Sequence, residues 1–402
     1  MQKRLLHFAL ALAMLAGGTA GTAGAQTLTP AAALARVLAA PTQNPDWYAT
    51  AVLSQISMKQ MDDLVAGIDS QLGTFQKVTG DGKGGDYVAI YSGGTLPCWI
   101  ALDADGKIAG IFFKPPQPTM TSLNDALAKF AGLHGTLSYL VLQNGKVRAA
   151  VGQQTALAVG STFKLAVLTA LDREIRSGKR HWSDVVLLRD GWRSMPSGVM
   201  QAWPAGTPVT LATLAAEMIS ISDNTATDTL IHTLGRAAIE PYAGANVPLL
   251  TTRAMFALKT KNGGALRAAW RAGDATARRA LIARLEAAPL DENALALAPA
   301  DADIEWHFTN RRLCALMAGV RDLPLFTINP GLANASDWKH VAFKGGSDSG
   351  VISMTTWLTA KNGTQFCVSA TLDDRTADVD EKGFSMAYAA VIQRLRDEAQ
   401  AH

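Results

Sequence analysis

The strand-like segments of this chain fall into two groups with a long helical stretch between them, and that split limits the fold more than any other feature. Residues 137–143 and 146–151 alternate around Asn144-Gly145, the dipeptide that most favours a two-residue hairpin. From Phe163 to about Asp337 the chain reads as helices and loops, with amphipathic periodicity at 211–234, 267–285 and 311–320. Strand runs return at 341–344, 351–361 and 365–372, with Asn362-Gly363 as a second hairpin turn, and a last helix covers about 381–398. Such an order does not build a parallel αβ repeat. It predicts an α+β fold: an antiparallel five-stranded sheet whose strands come from both ends of the region, flanked by helices, with a large all-helical lobe inserted.

Upstream, residues 46–73 carry helical periodicity with a candidate break at 56–58, and strand-like runs follow at 75–78, 86–91, 98–101 and 108–113. Pro115, Pro116 and Pro118 close this segment. The boundaries expected are a small N-terminal α+β accessory domain at 46–120 and a larger domain at 121–402. In element order alone, the small domain resembles the nuclear-transport-factor (NTF2) and cystatin-like modules. Residues 26–45, rich in Pro and Ala, are expected to be a linker or frayed helix. Residues 1–25 have the form of a cleavable export signal: Lys3 and Arg4, an apolar run too short to span a bilayer, then Ala23-Gly24-Ala25. A periplasmic or secreted protein without a retained membrane span is expected.

Composition narrows the function by exclusion. The chain is 48% hydrophobic and 18% charged, and its formal net charge is +3, two of those charges being Lys3 and Arg4. That balance is no footprint for nucleic acid or an anionic membrane. The seven histidines show no HxH, HxxxH or HExxH spacing, which weighs against a metal-dependent hydrolase, and no cofactor is expected. Cys98, Cys314 and Cys367 each sit among apolar neighbours and read as small buried hydrophobes, although an odd count leaves at least one thiol unpaired.

Three short motifs carry the chemistry. Gly160-Ser161-Thr162-Phe163-Lys164 opens an apolar helical run, which puts Ser161 and Lys164 on one face of a first turn. A serine hydroxyl attacks a carbonyl only when a neighbour takes its proton, and a lysine serves as that base where burial and nearby cations keep it neutral. A second S-x-x-K, Ser336 to Lys339, precedes a strand and reads as a surface turn. Ser222-Asp223-Asn224 interrupts an apolar helix, which would restart at Thr225 and present a hydroxyl and a carboxamide to a cleft. Lys344-Gly345-Gly346-Ser347 ends a strand, where glycines permit close backbone approach and the Ser347 N–H can face an oxyanion.

In these motifs, their order and their flanks, the region from about Thr121 onward resembles the serine β-lactamases and penicillin-binding proteins, nearest the class A branch. The resemblance implies Ser161 as acylated nucleophile, Lys164 as general base and Ser222 as proton relay to the leaving group. It further implies substrate-binding roles for Asn224, Lys344, Gly346 and Ser347, with the Ser161 and Ser347 amides as oxyanion hole. The substrate would be a small molecule: a β-lactam or a related ester or amide. The alternatives are a D-Ala-D-Ala peptidase acting on cell-wall peptides, an esterase, or a β-lactam or muropeptide receptor without turnover.

Two departures stand out. Gly345 occupies a position where the family has Thr or Ser, leaving Ser347 or Ser349 to replace the hydroxyl that meets a substrate carboxylate. The family's deacylating E-x-x-L-N loop has no counterpart after Asn224. Glu292 and Glu305 are candidate acids, and for both a solvated or structural carboxylate is the favoured reading.

Overall fold

The structure is a computed structural model that describes residues 28–114, 116–118 and 122–401. The expected export signal, 1–25, lies outside the described residues. The chain divides into two compact units, Met1–Thr119 and Met120–His402.

In the first unit, helix α1 (Pro30–Ala39) begins at a Thr29 cap with Pro30 in its first turn, and it buries Ala33, Leu34, Val37 and Leu38. The stretch expected to be a linker therefore supplies part of this unit's core. Its alanines hide an apolar stripe at helical spacing. After α2 (Thr50–Leu53) the chain breaks, then restarts at α3 (Met58–Leu72), whose Ser57 and Gln60 form a capping box. Four strands follow as an antiparallel meander: β1 (Phe75–Thr79), β2 (Asp86–Tyr91), β3 (Gly94–Leu102) and β4 (Ile108–Phe113). Strand β3 starts before the run read from sequence, because Gly94 and Pro97 mask its signal. Cys98 on β3 is a free, buried thiol packed in the core with Leu34, Tyr48, Leu72 and Leu96.

The second unit opens with α4 (Leu123–Ala128), β5 (Thr136–Gln143) and β6 (Lys146–Val151), the two strands joined through Asn144 and Gly145, both at positive φ as a tight primed turn requires. The helical lobe follows with α5 (Lys164–Arg176), α6 (Leu211–Ser220), α7 (Asn224–Leu234), α8 (Thr252–Leu258), α9 (Gly264–Ala272), α10 (Ala275–Ala287) and α11 (Asn310–Val320). It is not purely helical. Val185–Leu187 pairs with Pro208–Thr210, strands too short to show an alternation in sequence. The chain then returns through β7 (His340–Asp348), β8 (Val351–Thr359) and β9 (Gln365–Asp373) to α12 (Glu381–Gln400).

The sheet order is β7-β8-β9-β5-β6, antiparallel throughout, with Ser369 opposite Leu140 where the two ends of the region meet. One face is covered by α4, the 3-10 turn Lys129–Gly132 that follows it, and α12, through Phe130, Phe384, Tyr388 and Val391, packed on Phe366, Val368 and Ala370. Toward the lobe the other face is partly polar: Ser353 meets Thr371, Thr355 meets Ser369, and Asn310 of α11 accepts from Ser369 and Thr371. A disulfide joins Cys314 on α11 to Cys367 on β9; both are buried, as expected, and the pairing is one that the sequence leaves open. Their apolar flanks suit a buried thiol and a buried disulfide equally. The first two turns of helix α5 are buried almost all round, Leu165, Val167, Leu168 and Leu171 included, as their largely apolar sequence requires. Burial of such side chains is worth roughly 1.5–3 kcal/mol each, so the helix is a fixed axis for whatever its first turn carries.

Candidate active site

Ser161 lies in the 3-10 turn Gly160–Phe163 that feeds α5, and strand β7 comes up against this turn backbone to backbone. Two glycines make the approach feasible. A Cβ on Gly160, at φ +48°, would come within 3.0 Å of the Ser347 nitrogen, and one on Gly346 within 2.4 Å of the Ser161 nitrogen. The amides of Ser161 and Ser347 are thus brought close together. Behind the turn, Phe163 stacks on Trp306 at a centroid distance of 3.7 Å. The Ser161 hydroxyl makes no hydrogen bond among the described residues.

Lys164, the first residue of α5, is completely buried. Its Nζ donates to the Ser222 carbonyl (2.6 Å), the Ser222 hydroxyl (3.1 Å) and Asn224 Oδ1 (2.7 Å). Lys344, on β7, donates to the same Ser222 hydroxyl from its other side at 3.0 Å. Ser222 is held at φ +60°, a conformation that costs a non-glycine residue energy and persists only when its surroundings enforce it. They do so here. Its carbonyl accepts from Ser197 Oγ (2.6 Å) as well as from Lys164, and the next residue, Asp223, caps α7 and accepts from the Val199 and Met200 amides. Helix α7 restarts at Asn224, one residue before the restart read from sequence, because the cap is Asp223. Asn224 Nδ2 donates to the Met195 carbonyl, which fixes the amide orientation that leaves Oδ1 for Lys164.

Burial pushes Lys164 well below the usual lysine range, and the neighbouring Lys344 pushes the same way, while Asp228 and Asp223 pull it back up. Burial alone brings Lys344 down to about 7. Asp228, one turn along α7 from Asn224, is itself fully buried and is raised to about 7 by desolvation, against two backbone amides of α8, Thr252 (2.7 Å) and Arg253 (2.8 Å), that favour its charge. No local pattern marked Asp228.

A second buried cluster borders the same cleft. Lys259 Nζ, just past α8, is hydrogen-bonded to Glu305 Oε1 and, at 2.9 Å, to Asp348 Oδ2 on β7. Glu305 Oε2 is buried with no hydrogen-bond partner. Desolvation, with Asp348 adding to it, raises Glu305, whereas the two carboxylates hold Lys259 above the usual lysine range in spite of its burial. Glu305 is therefore a paired, buried carboxylate, while Glu292 is exposed and lies outside the cleft.

The cleft measures about 600 Å³, and Ser161, Ser222, Asn224, Lys344, Gly346 and Ser347 all line it, with Lys164 hydrogen-bonded from behind. Gly345 lines it without a hydroxyl. The second S-x-x-K copy falls on an exposed turn at Ala335–Asp337. A base, two hydroxyls and a pair of amides around one void are the parts that acyl transfer requires.

Residues 118–302 match the model of the beta-lactamase enzyme family, a span that contains the first two motifs and ends before Lys344. No curated protein matches the chain. Among solved structures, the chain is similar to a beta-lactamase from Sphaerobacter thermophilus DSM 20745 at 18% identity, covering 70% of this chain and 97% of that one, with a TM-score of 0.49. It is also similar to PBP-A at 16% identity, covering 72% and 99%, with a TM-score of 0.49. A class A beta-lactamase from Bacteroides cellulosilyticus DSM 14838 aligns at 15% identity over 70% and 98%, with a TM-score of 0.47. Two of the three motifs thus lie inside the span that matches the beta-lactamase enzyme family, and the third is hydrogen-bonded to them in the fold.

Proposed function

We propose that the protein is an exported serine hydrolase that acts through an acyl-enzyme at Ser161 on an ester, an amide or a β-lactam. The observation that carries this reading is the buried Lys164 amine, lowered in basicity and hydrogen-bonded to Ser222 and Asn224, with Lys344 on the far side of the same Ser222 hydroxyl. A neutral Lys164 accepts the Ser161 proton while Oγ bonds to the substrate carbonyl carbon. The developing oxyanion is received by the Ser161 and Ser347 amides, a contribution of roughly 3 kcal/mol per donor. As the bond to the leaving oxygen or nitrogen breaks, the proton travels from Lys164 through the Ser222 hydroxyl to that atom, and Asn224 and Lys344 keep the relay aligned. Water then attacks the Ser161 ester, which releases the acid and restores the hydroxyl and the neutral amine. The Cys314–Cys367 disulfide supports export to an oxidising compartment.

Intact-protein mass spectrometry over time, after mixing with a penicillin and with a simple ester, tests the reading. The parent should gain one acyl mass on the peptide that contains Ser161, and Ser161→Ala should gain none. Stable binding without any adduct in the parent, unchanged in Ser161→Ala, would replace the hydrolase with the receptor alternative.

A further inference from the structure

The wall of the cleft formed by the end of β7 and the start of α12 is acidic. Among the described residues that line the cleft, Lys344 is the one cation, and Glu305, Asp348 and Glu381 are carboxylates. The Lys344 amine is already committed to the Ser222 hydroxyl and the Gly345 carbonyl. Both hydroxyls left to meet a substrate carboxylate face carboxylates of the protein instead. Burial raises Glu381, the first residue of α12, above the usual carboxylate range while the Ser347 hydroxyl pulls it back toward its ionised form, and Ser349 Oγ donates to Asp378 Oδ1 at 2.7 Å. Between them Asp348 holds Lys259, and that cation is shared with Glu305, whose second oxygen is buried, unpartnered and part of the same wall. One ammonium is thus set against two buried carboxylates, with Glu381 in excess.

We propose that this wall selects acyl donors that carry an ammonium group over those that carry a carboxylate, and that Glu381 is the specificity-determining residue. The inference rests on the reading of Ser161 as the acylated residue, and it adds the substrate class. A substrate carboxylate brought to Ser347 would displace Glu381 from its hydroxyl and meet Asp348 beyond it, with no free cation to offset either. An ammonium group in the same place gains Glu381 as a counter-ion and leaves the Lys259 cluster intact. The effect is electrostatic and partly exposed, so it must weaken as salt rises.

The test compares two nitrophenyl esters with acyl chains of equal length, one ending in trimethylammonium and the other in carboxylate, on the full chain. The parent should show kcat/KM at least tenfold higher for the cationic ester at low salt, with the ratio falling as salt is added. Glu381→Gln should lower the ratio, and Glu381→Lys should bring it to unity or below. A parent that prefers the carboxylate ester, or a ratio indifferent to Glu381→Lys, overturns the proposal. Ligand-observed NMR on Ser161→Ala with benzyltrimethylammonium and phenylacetate separates the two readings. Cation-selective binding that Glu381→Lys abolishes upholds the charge preference even if no ester labels Ser161. Labelling of Ser161 with no preference in either assay discards the charge preference and leaves the acyl chemistry standing.

Discussion

Two groups of buried lysines border one cleft, and their amines are driven in opposite directions. Lys164 and Lys344 share the Ser222 hydroxyl, lie near one another, and contact hydroxyl, amide and carbonyl oxygens but no carboxylate; both are lowered. Lys259 is buried as deeply, yet Glu305 and Asp348 close on it and it is raised. Burial alone therefore does not set the charge of a lysine here. The partners within hydrogen-bonding distance do, and they divide the site into an amine that can exchange a proton and an amine that is a permanent charge.

The comparison can be broken most directly at Lys164. If its amine is the proton acceptor, Lys164→Ala should slow acylation by roughly 10²–10⁴-fold, read as the rate of adduct formation by mass spectrometry; a rate within a few-fold of the parent would assign the proton elsewhere. At the other lysine the expected loss is of stability. Lys259→Met strands two buried carboxylates and should cost about 3–5 kcal/mol in urea unfolding. A cost near zero would mean that Glu305 and Asp348 share a proton and need no cation. The smallest and most informative change is Asp228→Asn. Where Asp228 is ionised, above about pH 7, its charge holds the Lys164 amine up, so its removal lowers that amine further and raises the fraction of neutral Lys164 there. The limb of the kcat/KM profile that reports Lys164 should then move to lower pH; an unmoved limb would show that Asp228 is neutral where the site works.

Much of the reactive group was legible in sequence because each part is local. Ser161 and Lys164 share one turn, Ser222 and Asn224 flank one helix cap, and Lys344 sits on a strand fixed by its hairpin partner, although that strand does not end there as expected but runs on through the glycines to Asp348. The Lys259 cluster was not legible, since residues 259, 305 and 348 come from three separated segments, and a lone Lys, Glu or Asp has no spacing to betray it. Asp228 escaped for a related reason: nothing in its own helix shows that the start of α8 lies against it. The disulfide was left open because Cys314 and Cys367 belong to a helix and a strand that meet only when the sheet is complete. Chain order revealed the split sheet, whereas the three-residue strands inside the lobe were too short to carry a period.

The split sheet also determines when the site can exist. The turn that carries Ser161 is completed by contact with Gly346 and Ser347, and Lys344 comes with them, on strands that emerge nearly two hundred residues after the serine. Such long-range pairing forms late, after the local helices. On the proposed acylation of Ser161, a chain still leaving the ribosome holds its serine without the Ser347 amide and the Lys344 amine, and the hydroxyl becomes dangerous to its surroundings only when the last strands have docked.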